Sequence, residues 1–318
     1  MKAVVFDRYG PPDVLRVEEV DRPVPSKCEV LVRVIASTVT RSEAMGVRSA
    51  DYRFTRIFTG IRRPRSTTFG SEFAGYVEEV GPGVSKFHIG DEVFGLRAGA
   101  NAEWVAVPED GVVAYKPVSL TYEEAAAIPD GALLALTCLR PADPQRKRVL
   151  VYGAAGSIGS AMVQILAHYF EADVSAVCDT KDLEIVRRLG ARVVIDRLEN
   201  DFTKGDATYD VIFDAVGKSS FRRCRRVLAH DGTYLTMDLG FMYHAPLLAL
   251  LTRFIGHRRV RVGVGRYRKE DLVLVKDLVD KDRYQPVIDR QFALGEIVAA
   301  TYYVEAGQKS GSVVLTIP

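Results

Sequence analysis

The stretch "VLVYGAAGSIGSAMVQ", residues 149–164, limits the possible folds of this chain more than any other. An apolar, β-branched run, the pattern of a buried strand, breaks directly into Gly153-Ala154-Ala155-Gly156-Ser157-Ile158-Gly159 and then into a helical pattern. The small residues permit a tight turn. Gly156 lets the backbone approach a diphosphate, and Gly159 lets helix and strand pack closely. The amides that open the helix then face the anion. Ala154 stands where the first glycine of the G-x-G-x-x-G pattern usually does. With a strand before it and a helix after, the segment predicts a dinucleotide-binding turn.

The residues that follow repeat this alternation. "DVSAVC" reads as a strand and "DLEIVRRLGA" as a helix ending at Gly190. "RVVID" and "YDVIFDAVG" read as strands, "FRRCRRVLAHDG" as a helix and "GTYLTMDLG" as a strand. Such βαβ units predict a parallel sheet covered on both faces, and right-handed crossovers make a doubly wound sheet the economical arrangement. The first ~115 residues differ: "EVLVRVIAS", "GYVEEVGPGV", "GDEVFG" and "EWVAVPED" are short strands, with Gly and Pro spaced as in a small barrel. "SLTYEEAAAIPDGALLALTCLR" is a helical run with Ser119 or Thr121 as its cap. After the amphipathic "EDLVLVKDLVD", the tail ends in a strand with no place in a finished doubly wound sheet. It is expected to return to the N-terminal β region. The expected division is therefore 1–118, 119–266 and 267–318, a nucleotide-type domain between two parts of a β-rich one.

Composition removes several classes of function. Lys and Arg number 43 against 41 Asp and Glu, a balance that argues neither for nor against nucleic acid as the main partner. The clusters "FRRCRRV", "GHRRVRVGVGRYRK" and "GIRRPR" lack a stacking motif and read as solvated faces and partner contacts, with nucleic-acid binding as a rival. The four cysteines are dispersed with no C-x-x-C, so separate buried thiols are expected rather than disulfides. "MKAVVFDRYG" is no signal peptide, and "APLLALLTRFIG" is too short to span a membrane and contains Arg253. The expectation is a soluble cytoplasmic protein.

At the end of the second strand of the alternating region stand Asp179, Thr180 and Lys181. Asp179 suits a ribose 2′-OH and so NADH; Lys181 suits a 2′-phosphate and so NADPH. A solvated strand end accounts for them as well. Asp214, Val216 and Gly217 in "IFDAVG", with Asp238 and Leu239 in "TMDLG", end later strands, where an open parallel sheet forms its ligand crevice. Asp214 equally suits a helix cap.

The ordered set "MKAVVFDRYGPPDVLRVEEVDRPVP", "GSEFAGYVEEVGPGVSKFHIGDEVFG", "AEWVAVPED", "VLVYGAAGSIG" and "QKSGSVVL" resembles the medium-chain dehydrogenase/reductase superfamily over essentially the whole chain. The closer likeness is to its zinc-free, quinone oxidoreductase-like branch. The resemblance implies an α/β architecture: a Rossmann doubly wound parallel sheet inserted in a GroES-like β-barrel catalytic domain, with the active site in the cleft. It implies NAD(P)H as hydride donor, often NADPH in this branch, and a homodimer joined through the sheet edge near Val260.

Zinc-dependent members carry Cys and Gly-His-Glu where this chain has Thr40 and Gly70-Ser71-Glu72, and they carry a four-cysteine lobe that is missing here. Hydroxyls are not usual zinc ligands, so no metal is expected. Hydride then goes to an acceptor that needs none, a quinone or an α,β-unsaturated carbonyl compound. The catalytic candidates are Thr40 at the lost-ligand position, Tyr52 in a substrate-side loop, Asp130 near the domain junction and His244 on a loop over the nicotinamide. Each also has a plainer reading: a strand-end threonine, a packed aromatic, a helix cap and a surface histidine. The chain departs from the branch at Leu134, where threonine is common, and at Glu43, where aspartate is usual. The alternative function is an NADPH-binding sensor or scaffold with little turnover.

Overall fold

A computed structural model describes residues 1–48, 56–65, 67–237, 244–263 and 265–318, with the side chains of residues 47, 57, 58 and 244 left aside. The chain divides into two compact units. One comprises Met1–Asp130, Arg268–Asp280 and Pro286–Pro318; the other comprises Gly131–Tyr267 and Lys281–Gln285.

The first unit is organised around one long strand. In chain order its N-terminal part contributes β1 (Lys2–Val5), β2 (Arg16–Glu19), β3 (Glu29–Val39), helix α1 (Arg56–Thr59), β4 (Glu72–Val80), β5 (Glu92–Leu96), β6 (Trp104–Pro108), β7 (Val113–Tyr115) and α2 (Tyr122–Ala126). The β-branched run of β3 is buried along most of its length. Its first half pairs with β6 and Val30–Ser37 with β4, both antiparallel. Phe69, Phe73, Val77 and Val93 pack with Val32 and Val34 in the core beneath. Burying each such side chain contributes about 1.5–3 kcal/mol.

Thr121, one of the two expected caps, opens α2 through a capping box with Glu124. Ala125 and Ala126 are fully buried, and α2 packs on β3 and β4. That packing carries the first unit on to Asp130, past the boundary expected at residue 118.

The second unit is the alternating region. It holds most of α3 (Pro129–Leu139), then β8 (Arg148–Tyr152), α4 (Ser157–His168), β9 (Asp173–Cys178), α5 (Leu183–Arg188), β10 (Val193–Asp196), β11 (Tyr209–Asp214), α6 (Phe221–Cys224), β12 (Leu228–Thr236), α7 (His244–Leu251) and β13 (Arg259–Val262). The strands form one parallel sheet in the order β10-β9-β8-β11-β12-β13. This is the doubly wound order, with its switch point between β8 and β11.

The helix expected over "FRRCRRVLAHDG" is a correction. Only Phe221–Cys224 is α-helical, because Val227 and Leu228 are claimed by the core and Leu228 already pairs with Tyr209 in the sheet. Cys28 is another. It lies exposed in the turn before β3, whereas Cys138, Cys178 and Cys224 are buried thiols as expected.

The tail supplies α8 (Lys269–Asp280), β14 (Ile288–Ala293), α9 (Ile297–Glu305) and β15 (Ser312–Thr316). β15 returns to the first unit, where it pairs antiparallel with the second half of β3, Val313 opposite Val39 and Val314 opposite Thr38. Among the described residues, no helix is long and apolar enough to cross a membrane.

Candidate functional site

Two groups of residues carry chemistry, one in each unit. In the second unit β8 delivers the chain to Gly153, whose φ of 81° is left-handed backbone that glycine adopts without strain. The Gly153 and Ala154 amides both donate to the Val177 carbonyl at 3.0 Å, which ties the turn to β9. A Cβ on Gly159 would stand 2.1 Å from the Gly153 carbonyl oxygen, so any side chain there drives α4 off the turn. Gly156 is the opposite case. It is the N-cap of α4, no side chain caps it, and a Cβ there would meet nothing closer than 3.7 Å. The helix therefore opens uncapped by any side chain, and a Cβ at its N-cap meets only the Gly153 carbonyl oxygen, at ordinary contact distance. These residues fit the diphosphate of a dinucleotide.

The ribose end is built differently from the sequence expectation. The Asp179 carboxylate is held by the guanidinium of Arg197, through Nε and through Nη2 at 3.0 Å. Thr180 Oγ1 donates to Asp196 at 2.6 Å. Arg197, one residue beyond β10, was not singled out from the sequence; its signal is its place at a strand end in the sheet's ligand crevice. Asp214 is fully buried, and its carboxylate accepts from the amides of Val216 (3.2 Å), Gly217 (2.9 Å) and Ser219 (2.8 Å) and from the Tyr234 hydroxyl (3.1 Å). Its side chain holds the loop after β11 in shape. Tyr52, Asp238 and Leu239 lie outside the described residues, and of His244 only its place as the first residue of α7 is described.

In the first unit, acids and hydroxyls gather where β3 ends and β4 begins. Glu72 is buried beside Thr38: Oε2 accepts from the Thr38 hydroxyl and Oε1 from the Asp130 amide at 2.7 Å. Thr40 and Glu43 form a reciprocal pair, Thr40 N–H donating to Glu43 Oε2 at 3.1 Å and Glu43 N–H to Thr40 Oγ1 at 3.2 Å. This is a capping box on the helical turn Ser42–Arg48. It leaves Glu43 Oε1 buried with no hydrogen-bond partner among the described residues.

Burial pushes the Glu43 carboxyl up to about 7, opposed by the neighbouring Ser71 hydroxyl and by Thr40. Burial, then the neighbouring Asp130 carboxylate, raises Glu72 well above the ordinary value. Lys309, four residues before Val313 of β15, faces the same group. Burial pushes its ammonium down to about 8, against the fields of Asp289, Glu72 and Asp130, and its Nζ donates to the Gly311 carbonyl. Thr40 and Asp130 are thus brought together with Glu43, Glu72 and Ser71. Lys309 was not singled out from the sequence, because only the pairing of β15 with β3 brings it there.

A zinc ion of the kind held in related dehydrogenases does not fit these residues. Thr40 and Ser71 offer hydroxyls where zinc takes Cys or His, and the carboxylates of Glu43 and Glu72 alone do not make up a zinc ligand set.

Comparison with known proteins agrees with this architecture. The alcohol dehydrogenase GroES-like domain family matches residues 26–117, and the zinc-binding dehydrogenase family matches residues 189–315. The 2-methylene-furan-3-one reductase of Solanum lycopersicum is 30% identical over 333 residues, covering 99% of this chain and 79% of that protein. The chloroplastic NADPH-dependent alkenal/one oxidoreductase of Arabidopsis thaliana is 28% identical over 330 residues, with coverage of 99% and 79%. The quinone oxidoreductase from Coxiella burnetii superposes with a TM-score of 0.87 at 25% identity, over 100% of this chain and 99% of that one.

Proposed function

We propose that this chain, which belongs to the medium-chain dehydrogenase/reductase superfamily and to its quinone oxidoreductase-like branch, is an NAD(P)H-dependent reductase of quinones or α,β-unsaturated carbonyl compounds that works without a metal. Two observations carry the reading: an uncapped glycine turn in one unit and, in the other, the hydroxyls of Thr40 and Ser71 at the positions where zinc-dependent relatives hold metal ligands.

When bound, the nicotinamide supplies a hydride. What the chain supplies is donors and protons. Charge that develops on a substrate oxygen needs preorganised donors, and Thr40, Ser71 and the Lys309 ammonium are the candidates. Reduction of an activated C=C bond places one hydrogen as hydride at the carbon β to the carbonyl and one as a proton at the α carbon. Glu43, at about 7, and Lys309, at about 8, exchange protons near neutral pH and suit the second transfer.

The reading takes NADPH as cofactor, on the family lean and on Lys181 and Arg197 at neighbouring strand ends, with Arg197 exchanging part of its contact with Asp179 for a 2′-phosphate. Arg197→Ala is expected to weaken NADPH about tenfold, roughly 1.4 kcal/mol, and to leave NADH within a factor of two. Equal loss for both cofactors would contradict the assignment. The same reading carries a cytoplasmic homodimer paired along β13, one of the two edge strands of the six-stranded sheet.

The test of the activity is NADPH oxidation against a panel of quinones and enones, with deuteride from labelled NADPH traced into product. Label at the β carbon supports the reading. Tight NADPH binding with no oxidation across the panel would leave a sensor or scaffold in its place.

A further inference from the structure

Outside both groups, the second unit brings two imidazoles and a carboxylate together at one end of its sheet. The β12 strand breaks register there. Tyr209 of β11 lies opposite Leu228, and Val211 lies opposite Thr233, so β11 advances two residues while β12 advances five. The excess chain, which contains His230, Asp231 and Gly232, is thrown out as a bulge. Bulges of this kind re-aim side chains and are features of a fold rather than defects. On its other side β12 pairs with β13, Thr233 opposite Arg259. Two residues back along both strands, the same register brings Asp231 beside His257.

The side chains converge accordingly. The two imidazole centroids are 4.0 Å apart, with ring planes inclined by 33°. His230 Nδ1 stands 3.3 Å from Asp231 Oδ2, and His257 Nδ1 stands 3.8 Å from Asp231 Oδ1. Each ring thus turns a nitrogen toward a different oxygen of one carboxylate. One ligand atom from each residue lies within 4.8 Å of the others, the only such trio among the described residues. Zinc bonds of about 2.0 Å in tetrahedral geometry place neighbouring ligand atoms about 3.3 Å apart. The two nitrogen–carboxylate distances, 3.3 and 3.8 Å, are near that value, and rotation of the exposed rings would turn their nitrogens toward one ion. Two imidazoles and a carboxylate suit zinc, copper or nickel, and they leave coordination positions for water.

We propose that His230, Asp231 and His257 form a surface site for a divalent transition cation, zinc above others, which clasps the β12 bulge to the turn before β13. The site is separate from the proposed hydride chemistry and acts on the stability of the sheet edge. A cation that binds only the folded chain stabilises it in proportion to the logarithm of its free concentration. The three side chains are exposed, so their replacement leaves the metal-free fold intact.

The test is calorimetric titration of the full-length, chelator-treated chain with zinc chloride alone, together with thermal unfolding with and without zinc. One zinc per chain is expected, with a zinc-dependent rise in Tm. His257→Ala and Asp231→Asn should each weaken binding at least tenfold, and the His230→Ala, His257→Ala double variant should lose both binding and the Tm rise. NADPH oxidation should be the same in the double variant as in the parent. Zinc that binds the double variant with unchanged affinity sits elsewhere, at the exposed Cys28 for example, and overturns the proposal. So does a parent chain that takes up no zinc at millimolar concentration.

Discussion

The glycine turn of the second unit and the acid pocket of the first solve opposite problems. The turn works by having almost no side chains: Gly159 admits the Gly153 carbonyl at a distance no Cβ tolerates, whereas a Cβ on Gly156 would make only an ordinary contact with that carbonyl. The pocket works by crowding side chains that resist being crowded. Glu43, Glu72 and Asp130 are all buried, and burial drives Glu43 and Glu72 toward their protonated forms. A backbone site is set by local sterics and is insensitive to pH. A buried-acid site is set by long-range pairing and carries its proton inventory into the stability of the fold.

The largest effect belongs to the turn. Gly159→Ala should cost about 1–3 kcal/mol of stability through overpacking and abolish measurable cofactor binding. Gly156→Ala should leave Tm unchanged yet weaken NADPH about tenfold, as read by fluorescence titration. If Gly156→Ala binds as tightly as the parent, the uncapped helix terminus is not where the anion sits.

The contrast also explains what the sequence made legible. The turn lies within seven consecutive residues, so sterics alone exposed it, and the strand–helix alternation around it followed from period and punctuation. The vacancy at Thr40 and Ser71 was legible only through resemblance to a family, because a threonine and a serine carry no signal of their own. Lys309 and Arg197 reach their sites only once β15 has paired with β3 and β10 has been laid beside β9. The helix expected through Leu228 failed for a related reason: the core and the sheet claimed Val227 and Leu228, and four helical residues were all that remained.

The next effect belongs to the pocket's hydrogen bonds. Glu72→Ala strands the Thr38 hydroxyl and the Asp130 amide in a buried setting, at a cost of about 1–3 kcal/mol in denaturant unfolding. Glu72→Gln keeps the volume and one acceptor and should recover much of the loss. Equal losses in the two variants would mean that packing, rather than hydrogen bonding, fixes the residue.

A smaller effect concerns pH. Folding raises Glu43 from 4.5 to about 7, so the folded chain retains a proton that the unfolded chain gives up. The associated stability is complete below about pH 4.5 and is lost as pH rises through 7. Glu43→Gln should therefore flatten the fall of Tm between those values and leave the variant relatively more stable at pH 8. An unchanged pH profile would show that Glu43 titrates normally in the fold.

The central claim, hydride transfer without a metal, is tested most directly by NADPH turnover on an active enone or quinone before and after exhaustive chelation. The His230→Ala, His257→Ala double variant is the right background, since it removes the surface cluster as a source of bound zinc. The account predicts that kcat and KM survive chelation and that added zinc changes neither. Loss of turnover on chelation, with recovery on adding one equivalent of zinc, would contradict it.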